Sequence, residues 1–122
     1  MIFGIGCDIV DIERVQSTLD KFKHKFLNRV FTEQEIRLSR SVNNVFYYAK
    51  RFSAKEAYAK AAGCGIGKKI NFQDIEILND ESGAPYFSKH PLQKKNIRAF
   101  LSISDEIKYA ISYVVLEKNE KN

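Results

Sequence analysis

Two carboxylates in unusual settings are the residues best suited to chemistry. Asp8 closes the apolar and small-residue run Gly4-Ile5-Gly6-Cys7-Asp8, and Glu56 sits within Arg51-Phe52-Ser53-Ala54-Lys55-Glu56-Ala57-Tyr58-Ala59-Lys60-Ala61. A pair of carboxylates holds a magnesium ion when phosphate oxygens and waters complete its octahedron. Arginine or lysine beside such a pair supplies charge-assisted hydrogen bonds to the phosphates. The combination points to chemistry on a phosphate-bearing substrate. An unpaired buried carboxylate costs on the order of several kcal/mol, so Asp8 requires a hydrogen-bonding partner or a metal. The plainer alternative is that Asp8 only braces the helix that follows it.

Phe52, Glu56 and Lys60 recur at i, i+4 and i+8 and share one helix face. Arg51 and Lys55, one position earlier, are expected on the same side. Alone, Glu56 and Lys60 read as an exposed helix pair worth about 0.3–0.5 kcal/mol. Cations gathered around one acid favour a ligand site, as does an alanine-rich helix running into Gly63-Cys64-Gly65-Ile66-Gly67. Glycine lets backbone N–H groups approach a phosphate closely. The run is no dinucleotide fingerprint, because its glycines follow a helix instead of preceding one. A helix C-cap accounts for Gly63 by itself.

Other chemistries find little support. His24 and His90 are isolated, which argues against a histidine-activated nucleophile. Cys7 and Cys64 form no CxxC pair and read as reduced thiols.

The elements that must position these residues follow from local pattern. Ile2 to Val10 reads as a strand. Asp11 caps a helix in which Ile12, Val15, Leu19 and Phe22 recur at helical spacing. Thr32 and Glu35 have capping-box spacing and open a short helix to about Arg40. Ser41 to Asn44 is a turn, and Asn44 caps a long helix ending near Ala62. Phe72 to Leu78 alternates as a strand, Asn79 to Gly83 is a turn, and Pro85 to Phe87 is extended. Ile97 to Ser104 and Lys108 to Leu116 form a hairpin, and the polar tail Glu117 to Asn122 is expected to fray. This order predicts one α+β domain over residues 1–122, with an antiparallel sheet packed against a long helix and shorter helices.

At 122 residues, 44% hydrophobic and 29% charged, the chain falls in the soluble globular class. It has no apolar run near the roughly 20 residues of a membrane span. Its start lacks a basic n-region and a cleavage site, so the cytoplasm is the expected compartment. A net charge of +5 favours acidic partners. The stretch Lys21-Phe22-Lys23-His24-Lys25-Phe26 suits a nucleic-acid reader, a docking surface for something acidic, or simply a solvated helix face.

In this order and spacing the two clusters strongly resemble the holo-[acyl-carrier-protein] synthases, the small bacterial 4′-phosphopantetheinyl transferases. One family motif, Gly-x-Asp followed by Arg, stands here as Gly6-Cys7-Asp8 and Arg14. The other, Phe-(Ala/Ser)-x-Lys-Glu-(Ala/Ser)-x-x-Lys-Ala, stands as Phe52 to Ala61. The likeness continues through Gly63-x-Gly65-Ile66-Gly67, Phe72-x-Asp74-Ile75-x-Ile77, Gly83-x-Pro85 and Ser102-Ile103-Ser104.

The resemblance implies transfer of the phosphopantetheine arm of coenzyme A to a serine of apo acyl carrier protein, in support of fatty acid biosynthesis. It implies Asp8 and Glu56 as magnesium ligands and Lys60 as a third catalytic residue on phosphate. Coenzyme A would meet Arg51, Lys60, Gly63, Gly65, Pro85 and Ser104. The base for the serine stays open between these carboxylates and a water. Acyl carrier proteins are acidic around the modified serine, so Arg14, Lys25 and Arg29 would pair with them while Phe26 packs alongside. The family's small α+β fold forms trimers with active sites between subunits. The partners implied include neither nucleic acid nor membrane. Two features depart from the family pattern: Asp105 stands where many relatives carry histidine and is not expected to bind phosphate, and Asn43 and Asn44 replace basic residues before the long helix. The rival readings are a basic nucleic-acid-binding module and another metal-dependent phosphotransferase or hydrolase acting on a nucleotide.

Overall fold

The computed structural model describes residues 1–41, 44–67 and 69–119. The chain runs β1 (Ile2–Asp11), α1 (Ile12–Val30), α2 (Glu33–Leu38), α3 (Val45–Ala61), β2 (Glu76–Asn79), β3 (Pro85–Lys89), β4 (Ile97–Asp105) and β5 (Tyr109–Lys118). Strands β1, β5 and β4 form an antiparallel sheet in that order, and β2 pairs with β3 in a separate hairpin. The α+β architecture expected from the element order is the one found.

The three expected caps are in place. Asp11 accepts from Glu13 N at 2.8 Å and starts α1. Thr32 and Glu35 bond each other's backbone N–H groups reciprocally at the start of α2. Asn44 accepts from Tyr47 N and starts α3. Each cap satisfies orphan amides of a first helical turn.

Three local expectations change. Helix α1 continues to Val30 but breaks its helical geometry at Lys23. The kink interrupts the apolar stripe after Leu19, so Phe22 is exposed instead of buried, while Leu27 and Val30 return to the core. Phe72 does not begin a strand: Phe72–Asp74 is a 3-10 turn, and β2 starts at Glu76. Phe72 stacks on Phe52 with ring centroids 5.5 Å apart, a contact with α3 invisible to a local pattern. Glu117 to Asn119 are not frayed: Lys118 N donates to Met1 O at 2.9 Å and Asn119 N to Asn96 O at 3.1 Å. The remainder of that tail, 120–122, and part of the turn before α3, Val42 and Asn43, lie outside the described residues.

Helix α3 lies directly on the inner face of the three-stranded sheet. A Cβ at Gly4 would come within 1.9 Å of Ala61 O, and one at Gly6 within 2.0 Å of Ala57 O. Glycine on the strand and alanine on the helix together allow this backbone approach. Around it, Ala54, Ala57 and Tyr58 pack with Ile77, Val114 and Leu116. On the inner face Asp8 pairs with Ser112, which pairs with Ile103. On the outer face the rows are Ile5–Val115–Phe100, Cys7–Tyr113–Ser102 and Ile9–Ile111–Ser104.

Candidate active site

The close approach of β1 and α3 brings the two sequence clusters together. Asp8 and Glu56 line one cavity of about 510 Å³, with Arg14, Phe52 and Tyr109 also in its wall. The Lys60 ammonium donates to Asp8 Oδ1 at 3.1 Å and to Cys7 O at 3.0 Å. Ser53 Oγ donates to the Asp8 carbonyl at 3.1 Å, which ties the strand end to the helix. The Asp8 side chain is 16% exposed and that of Lys60 57%, so the pair opens to solvent. Glu56 is partly buried. That burial, and then the negative charge of Asp8, raise its carboxyl above the usual carboxylate range, while Lys60 opposes the shift.

Arg51 and Lys55 do not join this site. Adjacent helical positions diverge by about 100°. Residues 51 and 55 therefore face the α2–β2 side, residues 53, 57 and 61 lie against β1, and Glu56 and Lys60 open toward Asp8. Lys55 is fully buried, paired with Glu35 at 2.7 Å and donating to Val30 O at 2.7 Å. The Glu35 carboxylate also accepts from Thr32 N and Ile77 N, so its charge is fully engaged. Burial lowers the Lys55 pKa while Glu35 holds it up. Arg51 donates to Ile77 O at 3.2 Å and to Asn79 Oδ1, with its guanidinium 3.8 Å from the Tyr47 ring centroid. These two cations bind α3 to its neighbours and leave Lys60 beside the carboxylates.

The glycine run divides. Gly63 takes a positive φ and donates to Lys60 O, and Cys64 N donates to Ala59 O, which makes a Schellman cap of α3. The Gly63 amide is thus committed to its own helix. Gly65 has nothing within 4 Å of a notional Cβ, so a ligand can approach its backbone closely. Pro85 lies in the β2–β3 hairpin and does not line the carboxylate cavity. Ser104 is on the other face of the sheet, where it lines a smaller cavity of about 300 Å³ with Asp105 and Tyr109. Asn44 serves as the α3 cap, while Asn43 lies outside the described residues.

Of the residues expected to meet a carrier, Arg14 stands at the carboxylate cavity, and Lys25 and Arg29 are exposed beyond the kink of α1. Phe26 is half-buried, with its ring 5.7 Å from Phe31 and 6.0 Å from Phe52. Phe52 in turn lines the cavity, so one aromatic row joins α1 to the carboxylate site. Tyr109 escaped the sequence reading: it enters through its pairing with Asp11 and borders both cavities. Nothing local marks such a residue.

Two hard oxygen donors facing one cavity fit a magnesium ion whose other ligands are substrate oxygens and waters. Among the described residues no group of three or more His, Cys, Asp or Glu side chains gathers into a fuller cage.

The family model for the 4′-phosphopantetheinyl transferase superfamily matches residues 4–114. A holo-[acyl-carrier-protein] synthase from Vesicomyosocius okutanii is 48% identical over 124 residues, covering 96% of this chain and 98% of the relative. The crystal structure of the Neisseria meningitidis holo-[acyl-carrier-protein] synthase superposes with a TM-score of 0.87 at 41% identity, covering 97% of this chain and all of that one. That of the Helicobacter pylori synthase in complex with coenzyme A gives 0.84 at 36% identity, covering 93% of this chain and 99% of that one. On this agreement along nearly its whole length, the chain belongs to the holo-[acyl-carrier-protein] synthases of the 4′-phosphopantetheinyl transferase superfamily.

Proposed function

We propose that this protein transfers the 4′-phosphopantetheine moiety of coenzyme A to a serine of apo acyl carrier protein, releasing adenosine 3′,5′-bisphosphate. The observation that carries the reading is the meeting of Asp8, Glu56 and Arg14 at one cavity with the Lys60 ammonium on Asp8. Asp8 and Glu56 would hold magnesium, which when bound neutralises charge on the pyrophosphate. Lys60 stabilises the phosphoryl oxygens from the open side of the pair. The proton of the attacking serine leaves to one of these two carboxylates or to a water held between them. Phe52 and Tyr109 form the apolar wall along which the arm lies, and the open backbone at Gly65 offers a phosphate contact. Arg14, Lys25 and Arg29 guide the acidic carrier to the cavity, an encounter that salt weakens.

The proposal includes a homotrimer with sites between subunits. Supporting it, the outer sheet face exposes Ile5, Ile9, Phe100 and Tyr113 together, an apolar surface that a second copy would cover. Ser104 and Tyr109 border that face, so a neighbour would add a second wall for coenzyme A. The role in fatty acid biosynthesis and the cytoplasmic setting belong to the same reading. No helix among the described residues is long and apolar enough to cross a membrane.

Intact-mass spectrometry of apo acyl carrier protein, incubated with this protein, coenzyme A and magnesium, tests the function. A gain of one phosphopantetheine that chelator abolishes is the expected result. An unchanged mass on a verified apo carrier refutes it.

A further inference from the structure

Ser112 lies midway along β5 with its side chain fully buried. Among the described residues its Oγ is the one buried side-chain polar atom with no hydrogen-bond partner. A buried hydroxyl without a protein partner is found at few positions. The strand register puts Ser112 directly opposite Asp8 on the inner face, with Ile103 on its other side. Side chains paired this way have Cβ atoms about 4.5–5.5 Å apart, within reach of a hydroxyl-to-carboxylate hydrogen bond. Ile103 offers no acceptor. Asp8 Oδ1 accepts from Lys60, whereas its Oδ2 takes no hydrogen bond among the described residues. Ser53, also beside Asp8, already directs its hydroxyl to the Asp8 carbonyl.

We propose that Ser112 is a positioning residue for Asp8: when the site is loaded, its hydroxyl donates to the Asp8 carboxylate and sets the rotation in which that carboxylate meets the cation. A ligating carboxylate needs such an outer hydrogen bond to hold its orientation. Ser112 is suited to the role because nothing else claims its proton and the paired strand fixes its position. The inference rests on the reading of Asp8 as a magnesium ligand.

The test is Ser112→Ala in the full chain, read by calorimetry and thermal unfolding as well as by transfer. Coenzyme A is titrated into parent and variant, with magnesium and with chelator. In chelator the variant should melt at the same temperature as the parent or higher, because an unpaired buried hydroxyl has been removed. The magnesium concentration that half-saturates coenzyme A binding should rise about tenfold, with the KM for carrier protein unchanged. A lower melting temperature in chelator would mean that the hydroxyl already has a structural partner, and would overturn the inference. So would equal magnesium dependence in the two proteins. If the parent itself binds coenzyme A equally well with and without magnesium, the assignment of Asp8 and Glu56 to the metal fails first, and the role of Ser112 fails with it.

Discussion

Gly6→Ala should damage both stability and transfer although Gly6 carries no functional group. The added Cβ would lie 2.0 Å from Ala57 O and 2.7 Å from Ala61 N. Carbon–oxygen contacts are ordinarily about 3.3 Å or longer. The neighbouring atoms are helix backbone and cannot swing aside, so α3 must withdraw from β1 by at least about 1 Å. Overpacking of this kind costs roughly 1–3 kcal/mol, occasionally more, which for a domain of this size lowers the melting temperature by roughly 5–15 °C. The same displacement separates Asp8 from Glu56 and Lys60. A misplacement of about 1 Å in a catalytic constellation costs on the order of 10²-fold. Single-turnover transfer to apo carrier, followed by intact mass well below the variant's melting temperature, separates the kinetic loss from unfolding. Gly65→Ala is the control for stability alone, since nothing stands within 4 Å of its Cβ and its backbone requires no positive φ. A Gly6→Ala protein with parental melting temperature and parental turnover would refute the packing of α3 on β1 described above.

The two lysines of the long helix should fail in opposite ways. Lys55→Met leaves Glu35 charged and buried without its ion pair, and should cost about 3–5 kcal/mol in denaturant unfolding, with the KM for coenzyme A unchanged wherever the variant stays folded. Lys60→Met removes a solvent-exposed pair worth about 0–1 kcal/mol, so its melting temperature should hold while transfer falls. His90 should give a pH signature. Tyr58 Oη accepts from Leu92 N and shares a hydrogen bond with His90 Nδ1 at 2.8 Å, and burial holds the His90 pKa below its ordinary 6.5. The unfolded chain then binds the proton more tightly, so stability from this group is present above the ordinary value and is lost as pH falls through the lowered one. His90→Gln should flatten that part of the melting-temperature profile; an unaltered slope would contradict it. Arg14→Ala should raise the KM for carrier protein more than that for coenzyme A, by a margin that shrinks with added salt. Equal effects on both would count against docking at Arg14.

What could be read in advance was what depends on neighbours in sequence. Asp11, Thr32 with Glu35, and Asn44 each cap a helix through hydrogen bonds spanning two or three residues, and all were legible. The alternation of Phe72 to Leu78 misled because Phe72 satisfies its apolar demand by stacking on Phe52 while Asp74 bonds back to Asn71 N at 2.9 Å, turning the chain. The exposure of Phe22 was hidden because the kink at Lys23 is a backbone event that helical periodicity does not encode. Arg51 and Lys55 stand beside Glu56 in the chain, but nearness along a helix is a poor guide to direction.

By itself, then, the sequence determined the order of elements, their caps and the residue types able to bind a metal and a phosphate. Only the tertiary structure decided which of them meet. Asp8 and Glu56 are 48 positions apart, and they share a cavity because Gly4 and Gly6 let the backbone of α3 settle against β1. Lys60 remains at the carboxylates and Lys55 leaves them because a carboxylate from α2, Glu35, stands on the opposite side of the same helix. Contacts of that range depend on packing and strand register, which no window of neighbouring residues contains.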